Sequence, residues 1–347
     1  MKNKITIKDL AKQLGVSIST ISRALSNKSD VNKETRDKVL KLAAEMGYRP
    51  NPIALNLRNK RSRTIGIVVP EFVNSFFTFI IMAVQEVLDR NGYQLLITQS
   101  NESAETEACN LRMLQNNMVE GIMISPTKQG QNIDLYREII DAGTPIVFFN
   151  RPCNDVEASK VIIDDFSMAF FATEHLIYEG RRKIAHLAGL ESLELTSARK
   201  NGYLKALSKH NIPINHEIIV TTGILEERGY EEMTKLLDKG VDIDAVFAMC
   251  DPVAIGAMKA IKERGIKIPE QIAIVGFSES RSATLIEPNL TSVAQPLSLM
   301  GETVAKLLLK EIDARNNNQP VTYETIKLDA ILNIRESSRS TKVGDTT

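Results

Sequence analysis

Ile18, Ser19, Ser22 and Arg23 stand at i, i+1, i+4 and i+5, a spacing that puts all four on one face of a helix. Ile21, Ala24 and Leu25 supply the apolar stripe such a helix would bury on its other side. A guanidinium among small hydroxyl side chains suits base edges and phosphates. The fork of Arg matches the two acceptors of a guanine in the major groove, and hydroxyls match phosphate oxygens. A helical hairpin that only packs would need neither Arg23 on that face nor the small Ala11 and Gly15 before it.

The elements that must position this face are marked by their caps. Thr6 suits an N-cap with Asp9 as its acidic capping-box partner, and Leu10, Ala11 and Leu14 follow at helical spacing. Gly15 supplies the left-handed stop and Val16 a buried contact after it. Ser17 can cap a second helix over 18–26, which predicts a helix-turn-helix whose second helix enters the major groove. Asn32 caps a third helix with Val39, Leu42, Ala43 and Met46 inward and Gly47 as its stop, so residues 5–48 form a compact head. Asn51 and Pro52 then begin a helix of about two turns, too short to persist alone in water. It is expected to form only when a partner covers Leu55 or Leu57, and the charged run NKRSR (59–63) links it onward.

Charge follows the same division. Net charge is zero, yet residues 1–63 hold 15 Lys and Arg against 5 Asp and Glu, and residues 64–347 hold 28 against 38. A basic head on an acidic body is a nucleic-acid footprint confined to one end. The three cysteines, Cys109, Cys153 and Cys250, are far apart and odd in number, which points to a reducing cytoplasm. Four histidines without cysteine partners at ligand spacing predict no metal site. No apolar run approaches the roughly 18 residues of a membrane span, and the basic start lacks a signal peptide's apolar stretch.

From Thr64 short apolar runs alternate with amphipathic helical segments. The runs TIGIVV (64–69), YQLLITQ (93–99), GIMIS (121–125) and PIVFFN (145–150) form one series. KVIID (160–164), KIAHLAG (183–189), EIIVT (217–221), AVFAM (245–249) and IAIVGF (272–277) form a second. This alternation predicts an α/β body of two parallel-sheet lobes, with a ligand cleft between them at the carboxyl ends of the strands. A long helix near 298–315 and strands near 321–334 are expected to cross back between the lobes. No GxGxxG follows a strand, and GxxxxGK[ST], HExxH and GxSxG are absent. The adjacent Asp164 and Asp165 would point to opposite faces of a strand and make a poor acid–base pair. The body reads as a binder without cofactor, not a catalyst.

Longer stretches carry a resemblance. VSISTISRALS (16–26), GYRPN (47–51), ALNLR (54–58) and SRTIGIVVPEFVNSFF (62–77) resemble the lactose-repressor/purine-repressor (LacI/GalR) family of bacterial transcription regulators. So do HLIYEGRRKIAHLAG (175–189), SARKNGY (197–203), CDPVAIGAM (250–258), VGFSES (275–280) and PNLTSVAQP (288–296). The resemblance implies a helix-turn-helix head (1–49), a hinge helix and linker (50–63) and a two-lobed effector-binding and dimerisation body (64–340), shaped like a periplasmic binding protein. A polar tail, 341–347, follows without leucine heptads, so a homodimer is expected and not a coiled-coil tetramer.

Carried over position by position, the resemblance places base reading on Ile18, Ser19 and Arg23, and phosphate contacts on Ser17, Thr20 and Ser22. The minor-groove wedge falls on Leu57. Effector positions fall on Asn74, Phe76, Phe77, Asn150, Arg199, Cys250, Ser278 and Gln295. Departures from the family pattern stand at Leu55 (usually Arg), Cys250 (usually Asn) and Ser278 (commonly Asp). Leu193 and Leu195 occupy purine-contacting positions and speak against a purine. The expected function is a cytoplasmic regulator, a repressor, of a pseudo-palindromic operator, controlled by a sugar or sugar derivative. The alternatives weighed against it are a metabolic enzyme with a basic accessory head and an architectural DNA-binding protein.

Overall fold

The structure is a computed structural model that describes residues 5–25, 31–48, 61–72, 75–127 and 130–339. It divides into two compact units, Met1–Ser62 and Arg63–Thr347. In the first, α1 (Ile7–Leu14), α2 (Ile18–Leu25) and α3 (Lys33–Glu45) enclose one small core. Leu10, Ile21 and Val39 are fully buried at its centre with Ala11, Ala24 and Ala43 around them, and Leu14, Leu25, Leu42, Met46 and Tyr48 pack against it. The caps are those the residue types dictate. The Asp9 carboxylate accepts from the Thr6 N–H at 2.8 Å and its hydroxyl at 2.7 Å, which holds Asp9 below the usual carboxylate range. Gly15 ends α1 at φ 63°, and Asn32 caps α3 by accepting from the Glu34 N–H at 2.9 Å.

The second unit begins with a parallel sheet built from β1 (Thr64–Val69), β2 (Gln94–Gln99), β3 (Gly121–Ile124), β4 (Ile146–Phe149) and β5 (Ser159–Ile163). The connecting helices are α4 (Ser75–Arg90), α5 (Ala104–Asn116) and α6 (Ile133–Asp141). Alternation along TIGIVV sends Ile65, Ile67 and Val69 to one face and Val68 to the other, so the sheet is covered on both sides.

After β5 the chain enters a second lobe: α7 (Asp165–Tyr178), β6 (Ile184–Ala188), α8 (Glu194–Lys209), β7 (Ile219–Thr221), α9 (Glu226–Asp238), β8 (Ala245–Ala248), α10 (Asp251–Glu263), β9 (Ala273–Phe277) and β10 (Thr291–Ala294). It then returns through α11 (Leu297–Asn316), which packs on α4, and β11 (Thr325–Leu328), which adds to β5. Finally β12 (Ile331–Asn333) pairs antiparallel with β10. The strand orders are β2-β1-β3-β4-β5-β11 and β7-β6-β8-β9-β10-β12, so each lobe repeats one doubly wound topology.

Three details differ from the sequence expectation. KVIID, grouped with the second series, is β5 of the first sheet, paired with β4, and the crossing to the second lobe falls at Asp164. EIIVT begins not as strand but as a 3-10 turn over His216–Ile218, because the Asn215 side chain accepts from the Glu217 N–H. Helix α6 is an element beyond those the sequence was read to contain. Among the described residues no helix is long and apolar enough to cross a membrane, and no group of three or more His, Cys, Asp or Glu could hold a metal ion.

Candidate functional site

Strand ends from both sheets open on one cavity of about 360 Å³. Glu71 follows β1, and Asn150 and Arg151 follow β4, with Phe76 and Phe77 from the first turn of α4. From the second lobe come Met249 and Cys250 after β8, Ser278 to Ser280 after β9 and Gln295 after β10. This is the carboxyl-end crevice that doubly wound sheets present to ligands. Asn150 at φ 60° and Ser278 at φ 111° hold conformations that L side chains rarely adopt, and both lie where the backbone turns into the cavity.

Arg199 on α8 is the most constrained of the lining groups. It is 3% exposed, its Nε and Nη2 both lie 2.7 Å from Asp165 Oδ1, and Nη1 donates to the Met249 carbonyl at 2.5 Å. The guanidinium carbon sits 3.6 Å from the Phe277 ring centroid, a cation–π contact. Burial pushes the Asp165 carboxyl up, opposed by the guanidinium beside it. Asp164 turns the other way, accepting from the Ser167 N–H as the cap of α7, which holds it below the usual range. The two adjacent carboxylates are thus separated, though not by strand alternation as expected: β5 ends at Ile163, and they stand as the cap and first residue of α7.

Asp251, fully buried at the start of α10, organises the opposite wall. Its carboxylate accepts from the Ser280 N–H at 2.5 Å and the Ser292 hydroxyl at 2.6 Å, so it holds the loop that presents Ser278 and Ser280. Burial raises this carboxyl to about 6. The neighbouring Cys250 thiol is pushed up to about 12, again by burial, and its Sγ lies 3.8 Å from the Ile224 carbonyl. A thiol so far from ionisation is a poor nucleophile at neutral pH. The cavity's chemistry is that of hydrogen bonding and packing.

Seven of the expected effector positions line this cavity: Phe76, Phe77, Asn150, Arg199, Cys250, Ser278 and Gln295. Asn74 and Leu57 lie outside the described residues. Leu195 also lines it, whereas Leu193 is buried without reaching it. Sequence reading missed Glu71, Arg151 and Glu226 as lining residues. Each lies within two residues of a strand's carboxyl end or at a helix start, which is the signal that would have found them.

In the head, Ile18, Ser19 and Arg23 are exposed on α2, with Ile18 at 46% despite its apolar side chain. Ser17 is engaged as the cap of α2, accepting from the Thr20 N–H at 3.1 Å and sharing hydrogen bonds with the Ser19 and Thr20 hydroxyls at 2.7 and 2.8 Å. Thr20 and Ser22 are half-buried beside it.

Residues 6–51 match the family described as "Bacterial regulatory proteins, lacI family", and residues 62–331 match "Periplasmic binding proteins and sugar binding domain of LacI family". The chain belongs to the LacI family. Relatives include the HTH-type transcriptional regulator AscG of Escherichia coli K12, 33% identical over 94% of this chain and 98% of that protein. The HTH-type transcriptional repressor CytR of the same strain is 31% identical, over 96% of each. Among solved structures, the complex of the transcriptional regulator CelR with cellobiose superposes with a TM-score of 0.73 at 28% identity, covering 96% of this chain and 99% of that one. A lac repressor dimer gives a TM-score of 0.84 at 24% identity, over 97% and 100% of the two chains. This LacI-family chain is accordingly a DNA-binding transcriptional regulator.

Proposed function

We propose that this regulator represses from a pseudo-palindromic operator as a cytoplasmic homodimer, has no catalytic role, and is controlled by a sugar-like effector in the interlobe cavity. The observation that carries this reading is the convergence of both sheets' strand ends on one polar, aromatic-walled cavity. Phe76 and Phe77 suit the face of a sugar ring, and Asn150, Ser278 and Gln295 suit its hydroxyls. The cellobiose held by the CelR relative supports the same class of effector. Exposed Phe79 and Met82, one turn apart on α4, offer apolar surface to a second copy.

Ile18, Ser19 and Arg23 read bases, Ser17, Thr20 and Ser22 meet phosphates, and Leu57 wedges into the minor groove. Arg23→Ala should cost about 1–3 kcal/mol at the operator and relax preference at one base pair per half-site. Selection of binding sites from random DNA by wild type and variant reads this directly. Equal weakening on every sequence would make Arg23 a phosphate contact and remove it from base readout.

A further inference from the structure

The residues around the start of α8 serve two neighbours. Leu195 and Arg199 line the cavity, while Leu193 and Glu194 meet the first lobe. The first lobe's side of that seam is Pro126, Tyr136, Pro152 and Cys153. The gap left between the lobes there is about 10 Å³, space for no more than one water. Cys153 and Leu193 are both buried, so the seam is closed to solvent from each side.

At the rim of the seam, Asn154 Nδ2 donates to both carboxylate oxygens of Glu194, at 2.7 and 2.9 Å. Asn154 lies in the loop from β4 to β5, just after Asn150 and Arg151 of the cavity wall. Glu194 is the first residue of α8, a position where the helix dipole favours negative charge. Its oxygens are given not to its own helix, whose N-cap Leu193 makes no side-chain bond, but across to the other lobe. The pair thus ties the lobes apart from the places where the chain itself crosses, near Asp164, Pro296 and Asp329. Solvent competes for both partners of an exposed polar pair, so this one adds little to folding as a whole. Its leverage is on the balance between two lobe arrangements close in free energy, which one hydrogen bond to a charged group changes several-fold.

We propose that Asn154 and Glu194 form a latch between the lobes, which favours the arrangement seen here over one in which the seam parts. Glu194 shares α8 with Arg199, and Asn154 shares its loop with Asn150 and Arg151. Parting the seam therefore displaces one wall of the cavity against the other. The latch acts whatever the cavity binds.

The test reads the interlobe distance in the full-length protein by double electron–electron resonance. Nitroxides are placed on Cys109, exposed on α5 of the first lobe, and on Lys239→Cys, exposed just after α9 of the second. Labelled chains are diluted with unlabelled ones, so that only distances within one chain are read. Asn154→Asp removes the donor and sets two carboxylates face to face. It should lower the ratio of the wild-type distance to a second distance by at least about fivefold. Asn154→Asp/Glu194→Gln restores one donor and one acceptor with the polarity reversed, and should return the distribution to that of wild type. A distribution unchanged by Asn154→Asp overturns the latch even where the Tm falls, because the pair then stabilises the fold alone. A shift that persists in the double variant overturns it too, since its cause then lies in residue 154 by itself.

Discussion

Arg199 and Asp165 are a buried pair whose separate contributions can be told apart by mutation. Arg199→Ala leaves the Asp165 carboxyl in a site with almost no water, so it should cost about 3–5 kcal/mol in unfolding free energy. Arg199→Met/Asp165→Leu removes both charges at similar volume and should recover most of that loss by denaturant unfolding, without restoring ligand response. A double variant as unstable as Arg199→Ala would show that packing against Phe277, not charge pairing, is what the guanidinium supplies. Asp251 makes a pH prediction. Its folded value near 6 stands above its ordinary 3.8, so the folded form holds the proton more tightly. Stability from this group is present at low pH and lost as pH rises through about 6. Relative to Asp251→Asn, wild type should therefore gain roughly 2 kcal/mol on going from pH 7 to pH 4. A constant difference between the two proteins across that range would refute the assignment.

At the scale of elements, glycines set how closely the cavity-lining helices approach. Gly229 on α9 and Gly256 on α10 face each other's backbone: a Cβ at Gly256 would meet the Glu226 carbonyl oxygen, and one at Gly229 the Val253 carbonyl oxygen. Gly256→Ala should lower stability by about 2 kcal/mol or more, despite alanine's better helix propensity of about 1 kcal/mol. Its melting curve should fall by roughly 3 °C or more, and the displaced Glu226 should alter ligand affinity as well. An unchanged Tm would mean the helices can separate at no cost. The same elements show what sequence reading can reach. Caps and periodicity marked α1 to α3 and nearly every strand, because Thr6, Gly15, Asn32 and the apolar runs act over a few residues. Allocation of strands to sheets was not legible in this way: Lys160–Ile163 has the same character whichever sheet it joins, and only pairing with β4 and β11 decides. The cavity's partners were hidden for the same reason. Arg199 could be read from its motif, but its pairing with Asp165, 34 residues earlier, depends on how α7 and α8 pack.

For the whole molecule, the decisive feature is that two of the three crossings between lobes are tied to the cavity. The chain passes between lobes at Asp164 and Asp165, at Gln295 and Pro296, and at Asp329 and Ala330. Asp165 anchors Arg199, and Gln295 lines the cavity. A ligand bridging Asn150 and Phe76 of one lobe to Ser278 of the other therefore acts on the segments that set the lobes' relative position. It can shift that equilibrium only by its differential affinity for the two arrangements. DNA binding by the basic head and ligand binding by the acidic body should then be linked only when both are in one chain. A fragment of residues 61–347 should fold and bind a sugar effector with the same Kd as the full-length protein without DNA. Adding operator should change the sugar Kd of the full-length protein by about 5–150-fold in one direction, and leave that of the fragment unchanged. Calorimetry on both proteins, with and without operator, measures all four values. If operator leaves the full-length Kd where it was, the cavity and the head are energetically independent, and the interlobe crossings are not the route of control.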